Sequence, residues 1–156
     1  MNQIAVIVVA GGSGNRFGSY KQLEELGGKP LISYCVNTFQ QMSIFQQCVV
    51  VLAEDLLFDP RWKALEEQLD FPSLKVVKGG KSRKESVQNG FNCLREETEF
   101  VAVHDAARPF VPLHALEQCI KSLKDNSMLS GSIVASPCTD TLKRSEEHTS
   151  ELQSRM

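Results

Sequence analysis

The sequence has almost no net charge: 17 Lys and Arg against 19 Asp and Glu leave a formal −2 at pH 7. Nothing electrostatic therefore favours a nucleic-acid or anionic-membrane partner. Long hydrophobic runs are missing too. No stretch approaches the roughly 20 apolar residues of a membrane span, and the first apolar run lacks the basic flank of a signal peptide. The five cysteines, Cys35, Cys48, Cys93, Cys119 and Cys138, contain no C-x-x-C pair. An odd, scattered set speaks against a zinc cluster or a disulfide framework and predicts buried free thiols in a reducing, cytoplasmic setting. With internal repeats and linkers also absent, 156 residues at 42% apolar suit one globular domain.

What is present is concentrated at the start. The run Ile4-Ala5-Val6-Ile7-Val8-Val9-Ala10 leads into Gly11-Gly12-Ser13-Gly14-Asn15-Arg16-Phe17-Gly18, with Lys21 close behind. An unbroken, β-branched apolar run reads as a parallel strand buried on both faces. Glycines directly after it let backbone N–H groups face an anion with no Cβ in the way. Arg16 and Lys21 add full positive charges, so the stretch reads as a phosphate cradle; a purely structural tight turn is the alternative. Gly12, Gly14 and Gly18 do not meet the dinucleotide spacing G-x-G-x-x-G, and Gly80-Lys81-Ser82 has Lys75 where a P-loop needs its first glycine.

Further along, strands are predicted at residues 47–53, 74–78, 100–104 and 132–136, with amphipathic helices between them. Pro30 is placed to open the first helix, whose apolar face is Leu31, Tyr34, Cys35, Thr38 and Phe39. Asp59-Pro60 starts a second, on which Trp62, Leu65 and Leu69 form a stripe, making Trp62 a core residue rather than a base-stacking one. Ser82 and Glu85 fit a capping box, followed by a buried face of Val87, Phe91 and Leu94. That helix start is either a plain cap or a second site presenting N–H groups, Arg83 and Ser86 to a nucleotide. A helix over residues 112–126 carries Leu113, Leu116, Ile120 and Leu123. Strands alternating with helices argue a three-layer α/β/α fold with a mainly parallel sheet. Ligands of such sheets bind beyond the strand carboxyl ends. This places Asp105 beside the cradle as an oxygen ligand for Mg²⁺, and Arg108 as a fork for a second phosphate. A structural Asp105–Arg108 ion pair is the alternative there, and His104 reads as a hydrogen-bonded sheet residue rather than a general base.

Ala10-Gly11-Gly12-Ser13-Gly14-Asn15-Arg16-Phe17, Lys21-Gln22, Gly79-Gly80, His104-Asp105-Ala106-Ala107-Arg108-Pro109 and Asp140-Thr141-Leu142-Lys143 occur in order. Together they resemble the 2-C-methyl-D-erythritol 4-phosphate cytidylyltransferase family, which has a nucleotide-diphospho-sugar-transferase-like (Rossmann-like) fold. The related ribitol-5-phosphate cytidylyltransferases share the fold and the glycine loop, while the double alanine and the Asp140–Lys143 stretch look more like the first family. The resemblance implies transfer of CMP from CTP to a polyol phosphate, with pyrophosphate released in the non-mevalonate isoprenoid pathway. It also implies Mg²⁺, a homodimer and a cytoplasmic location. Carried over residue by residue, Arg16 and Lys21 are catalytic, and Ala10, Gly11, Gly12, Gly80, Ser86 and Asp105 bind CTP. Asp105, Arg108 and Thr141 hold the second substrate, and Asp105 also serves the metal.

The chain departs from the family pattern in two places. Tyr20 stands where the family usually has proline, and the gap between Arg16 and Lys21 is short. After Lys143, the run Arg144-Ser145-Glu146-Glu147-His148-Thr149-Ser150-Glu151-Leu152-Gln153-Ser154-Arg155-Met156 has no apolar periodicity and reads like a translated sequencing adapter. The expected division is an incomplete catalytic domain at residues 1–143 and an artefactual or disordered tail at 144–156. Such a chain, lacking the family's later β-arm, is expected to be an inactive nucleotide-binding fragment with uncovered apolar sheet surface. Resequencing the locus across codon 143 checks this. A frame that continues into further strands is expected; a frame that ends in the tail as written would make the tail native.

Overall fold

The computed structural model describes residues 3–12, 20–71 and 73–137. Five elements carry the frame first: β1 (Gln3–Ala10), the short hairpin β2 (Glu25–Leu26) and β3 (Lys29–Pro30), helix α1 (Leu31–Gln41), and β4 (Phe45–Leu52). Then come α2 (Pro60–Glu66), β5 (Leu74–Lys78), α3 (Arg83–Phe91), β6 (Thr98–Asp105) and α4 (Leu113–Asp125), with 3-10 turns at Lys21–Leu23 and Glu54–Phe58. The four long strands form one sheet in the order β5-β4-β1-β6, and every pair in it is parallel. All four carboxyl ends therefore emerge on one side. The chain builds outward from β1 through β4 to β5, then returns to β1's other edge for β6. The sheet's topological switch point thus lies between β1 and β6, where open α/β sheets hold ligands.

From Ile4 to Ala10 β1 is apolar, and both of its faces are covered. Val6, Val8 and Ala10 look into the larger core with Val50, Leu52, Phe39 and Trp62. Ile7 meets Val49 and Val51 on the opposite side. Each such fully buried aliphatic side chain contributes roughly 1.5–3 kcal/mol, so this strand anchors the fold. Helix α1 covers the larger face, but through Ile32, Cys35, Val36 and Phe39 rather than the expected Leu31, Tyr34 and Thr38, which are only partly buried. The buried stripe is thus rotated from the expected one, and the helix begins at Leu31 rather than Pro30. Pro30 pairs in the hairpin with an extended backbone and acts as the residue before the first helical turn.

Asp59 caps α2 by accepting from the Arg61 N–H at 2.8 Å. Trp62, Leu65 and Leu69 are buried as the stripe predicts. The Trp62 Nε1–H has no hydrogen-bond partner in this core, so the indole acts through its rings alone.

Helix α3 packs differently from the sequence reading. Phe91 is 50% exposed, and the buried positions are Ser86 and Gly90. A Cβ on Gly90 would come within 2.7 Å of Ile7 Cγ2 and 3.0 Å of Val51 Cγ2. The helix backbone lies so close to the sheet that small residues, not large ones, form its contact. The apolar faces of α4 pack partly against the core through Leu116 and Ile120.

The expected fifth strand at residues 132–136 does not form: residues 131–137 have no regular structure. Ile133 and Val134 are exposed, and the segment lies along α4 beside Ala115, Gln118 and Cys119. Its side chains are exposed rather than covered, so its apolar composition alone does not make a strand. Among the described residues, no helix is long and apolar enough to cross a membrane. Cys35, Cys48, Cys93 and Cys119 are free, the first two buried and the others half-buried. Burial pushes the Cys35 thiol up to about 12 and the Cys48 thiol up as well, so neither is a ready nucleophile. Cys138 and the proposed boundary at 143 lie outside the described residues.

Replacing Gly90 tests the close packing of α3. Gly90→Val should lower stability by about 2 kcal/mol, the usual scale of overpacking, although a non-glycine residue favours the helix by a few tenths to about 1 kcal/mol. A denaturation midpoint equal to wild type would contradict the observed contact.

Candidate nucleotide site

A cleft of about 700 Å³ opens at the carboxyl ends of the strands, within the range of small-ligand sites. Three chain segments line it: Val9–Gly12 with Lys21 and Gln22, Gly80–Arg83 with Ser86, and Asp105–Arg108. Ala10, Gly11, Gly12, Lys21, Gly80, Ser86, Asp105 and Arg108, all singled out from sequence, are thereby brought together. Arg16 and Thr141 lie outside the described residues, as do Ser13, Gly14, Asn15 and the Asp140–Lys143 stretch.

The first two segments touch back to back. A Cβ on Gly11 would sit 3.1 Å from the Ser86 hydroxyl, and one on Gly79 would sit 3.1 Å from both that hydroxyl and the Leu52 carbonyl. Glycine at these two places lets the loops after β1 and β5 share a wall, leaving Gly12 facing open space. Ser86 is buried and fully engaged. Its hydroxyl accepts from the Gly80 N–H at 3.0 Å and donates to the Ser82 carbonyl at 2.9 Å. It shapes the loop from within.

The cap of α3 forms with one arm displaced. The Ser82 hydroxyl accepts from the Glu85 N–H at 3.1 Å as predicted, but the Glu85 carboxylate accepts from the Lys81 N–H rather than that of Ser82. Reaching back one residue further closes the loop over Gly80. A Cβ on Gly80 would meet the Glu85 side chain at 2.2 Å. The amino end of α3, the positive end of its dipole, is thus presented to the cleft.

On the third segment, β6 delivers Asp105 opposite Val9, and the Ala106 N–H continues the ladder to the Val9 carbonyl at 3.0 Å. The Asp105 carboxylate accepts from Arg83 Nη2 at 2.9 Å on one oxygen and has Arg108 Nε at 3.6 Å from the other. The structural ion pair is therefore present, and Arg83 adds a second partner from across the cleft. Both guanidinium groups are more than half exposed, so each pair is worth only about 0–1 kcal/mol. A phosphate could draw either arginine away at little cost. His104 is a sheet residue, as expected: its Nε2 bonds the Arg108 carbonyl at 2.8 Å and its ring meets Phe39 edge-on.

Among the described residues no three His, Cys, Asp or Glu side chains gather into a metal cage, and Asp105 is the one carboxylate lining the cleft. A lone carboxylate suits Mg²⁺, which takes one or two protein ligands and completes its shell with water and phosphate oxygens. It does not suit a metal that needs an all-protein site.

Sequence reasoning missed two contacts. Arg83 was read either as part of a plain helix cap or as facing a nucleotide, and its observed partner is Asp105; opposite charges converging at two strand ends were the available signal. Gln22 was noted only as part of Lys-Gln. It is buried and donates through Nε2 to the Ala10 carbonyl at 2.8 Å, a contact with no local sequence signature. Tyr20 is fixed as well, its hydroxyl donating to Asp55 at 3.0 Å. That bond holds the Tyr20 phenol above its usual pKa.

A parallel sheet with glycine loops, a helix amino end and cationic side chains around its switch point defines an α/β protein with a cleft at the carboxyl ends of its strands. Similarity to known proteins narrows the class. The family profile of IspD, 2-C-methyl-D-erythritol 4-phosphate cytidylyltransferase, matches residues 4–155, so the chain belongs to that family. The match runs past Lys143. The cytidylyltransferase of Carboxydothermus hydrogenoformans is 35% identical over 150 residues, covering 95% of this chain and 63% of the relative. The bifunctional IspD/IspF enzyme of Granulibacter bethesdensis is 40% identical over 146 residues, 91% of this chain and 35% of the relative. A crystal structure of 4-diphosphocytidyl-2C-methyl-D-erythritol synthase superposes with a TM-score of 0.69 at 30% identity, covering 94% of this chain and 65% of that one. The synthase from Anaerococcus prevotii gives 0.67 at 25% identity over 80% of this chain and 52% of that one. The chain spans about six tenths of the length of the first two single-function relatives it matches, 61% and 63%.

Proposed function

We propose that this chain carries the nucleotide half of an enzyme that transfers CMP from CTP to 2-C-methyl-D-erythritol 4-phosphate and releases pyrophosphate. The observation that carries the reading is the meeting of Gly11, Gly12, Lys21, the α3 amino end, Asp105 and Arg108 around one cleft in a member of this family. A phosphate oxygen of the polyol forms a new bond to the α-phosphorus of CTP. The bond from that phosphorus to the bridging oxygen breaks, and its electron pair leaves with pyrophosphate.

The attacking phosphate is already ionised at neutral pH, so the step needs no general base. His104, already bonded to a backbone carbonyl, is not required for it. The protein's work is then positioning and charge stabilisation. Gly11, Gly12 and Gly80 allow the nucleotide close to the backbone, and Ser86 holds that wall in shape. Lys21, with Arg16, stabilises the charge that builds on the phosphates. Arg108 and Thr141 hold the polyol phosphate, Arg108 by turning from Asp105 to the new anion. Asp105, released from Arg83 and Arg108 as they engage phosphates, would hold Mg²⁺, which neutralises part of the triphosphate charge. The free thiols among the described residues fit a cytoplasmic setting, and family membership supports a homodimer as the assembly.

The test is pyrophosphate release by the full-length gene product, supplied with Mg-CTP and either methylerythritol phosphate or ribitol 5-phosphate. Turnover is expected with the first polyol. Preference for the second would move the protein to the ribitol reading. Lys21→Ala should lower kcat by about 10² or more, the scale of one lost preorganised charge contact. Near-normal turnover in that variant would sink the assignment.

A further inference from the structure

Lys21 and Gln22 are neighbours that both line the cleft but differ in exposure. Lys21 is exposed, while Gln22 is only 6% exposed. Burying an amide is unfavourable unless it is hydrogen-bonded, and here the partner is the Ala10 carbonyl at 2.8 Å. Ala10 is the last residue of β1, and Gly11 and Gly12 follow it directly.

The Lys21–Leu23 turn needs outside support, because it is one 3-10 turn with no side-chain cap. Three attachments supply it. Leu23 is buried in the main core, the Tyr20 hydroxyl reaches Asp55 at the surface, and Gln22 reaches Ala10. The first two fix the turn to the body of the protein. The third ties the lysine turn to the strand end from which the glycine loop starts.

We propose that Gln22 is a positioning residue: its hydrogen bond to Ala10 sets Lys21 in register with the Gly11–Gly12 backbone, so that both act on one phosphate group. The inference rests on the cytidylyl-transfer reading. Misplacement of a reacting group by about 1 Å can lower a rate by 10². The loss should fall on the chemical step, because nucleotide binding in the ground state is spread over the glycine loops, the α3 amino end and the arginines.

The experiment is a double-mutant cycle in the full-length gene product, with Gln22→Met as the probe. Methionine matches the length of glutamine and fills its space, but cannot donate to Ala10. Gln22→Met is expected to lower kcat by about tenfold or more. The KM for CTP and the calorimetric Kd for Mg-CTP should stay within about threefold. In a Lys21→Ala background the same change should have almost no further effect, since the group it positions is gone. An equal loss in both backgrounds would make Gln22 a general structural residue and overturn the proposal. So would a kcat within twofold of wild type. Full activity in Lys21→Ala alone would instead remove the catalytic reading of Lys21, and this proposal with it. Should Gln22→Met lose its folding transition, Gln22→Asn decides. It keeps the amide but shortens the reach by one methylene, and it should also lower kcat with KM held; unchanged kcat in that variant would overturn the proposal.

Discussion

Desolvation of β1 is the constraint on which the rest of the structure depends. The strand is hydrogen-bonded along both edges, to β4 and to β6, and its side chains are covered by α1 on one face and α3 on the other. A polar side chain in this layer needs a partner of its own, as Gln47 on β4 has in the Cys93 carbonyl and the Arg95 N–H, and β1 is apolar from Ile4 to its last residue. The first place where polar chemistry can begin is the loop that follows it. Gly11 and Gly12 stand at that exit, and the parallel arrangement brings the exits of β5 and β6 to the same edge. The cleft is therefore a consequence of the sheet's construction.

The electrostatics of the cleft follow from the same arrangement. Cations from three segments, Lys21, Lys81 with Arg83, and Arg108, line a cleft in which Asp105 is the one carboxylate among the described residues. Two arginines rest on that carboxylate, one on each oxygen. Their pairs are exposed and weak, which suits groups that must exchange one anion for another. The more buried contacts, Ser86 to Gly80 and Gln22 to Ala10, do not exchange. They hold the backbone frame of the cleft.

Much of this was legible in the sequence where a residue's neighbours are local. The limits of β5, the Asp59 cap, the buried Trp62 stripe and the Ser82 hydroxyl to the Glu85 N–H all follow from spacing within one helical turn or one strand. That Gly11, Gly12, Gly80 and Asp105 meet around one cleft was legible because they sit at or just after the ends of parallel strands. What was not legible depends on partners far away in the chain. Phe91 looks like a core residue on its helix, but Gly90 brings that helix so near Ile7 and Val51 that the larger side chain is turned out. Residues 132–136 have a strand's composition, yet a strand exists only where an edge receives it. Gln22 and Arg83 matter through single contacts that cross 12 and 22 residues, and no periodicity records such pairs.

The account stands on the claim that the cleft at the β1–β6 switch point is a site for cytidine triphosphate. The most direct measurement is the thermal shift of the protein with Mg-CTP, Mg-ATP and NAD⁺ at equal concentrations. A clear rise in melting temperature with Mg-CTP, larger than with Mg-ATP and absent with NAD⁺, is the predicted result. Stabilisation by NAD⁺ alone, or no shift with any nucleotide, would contradict it.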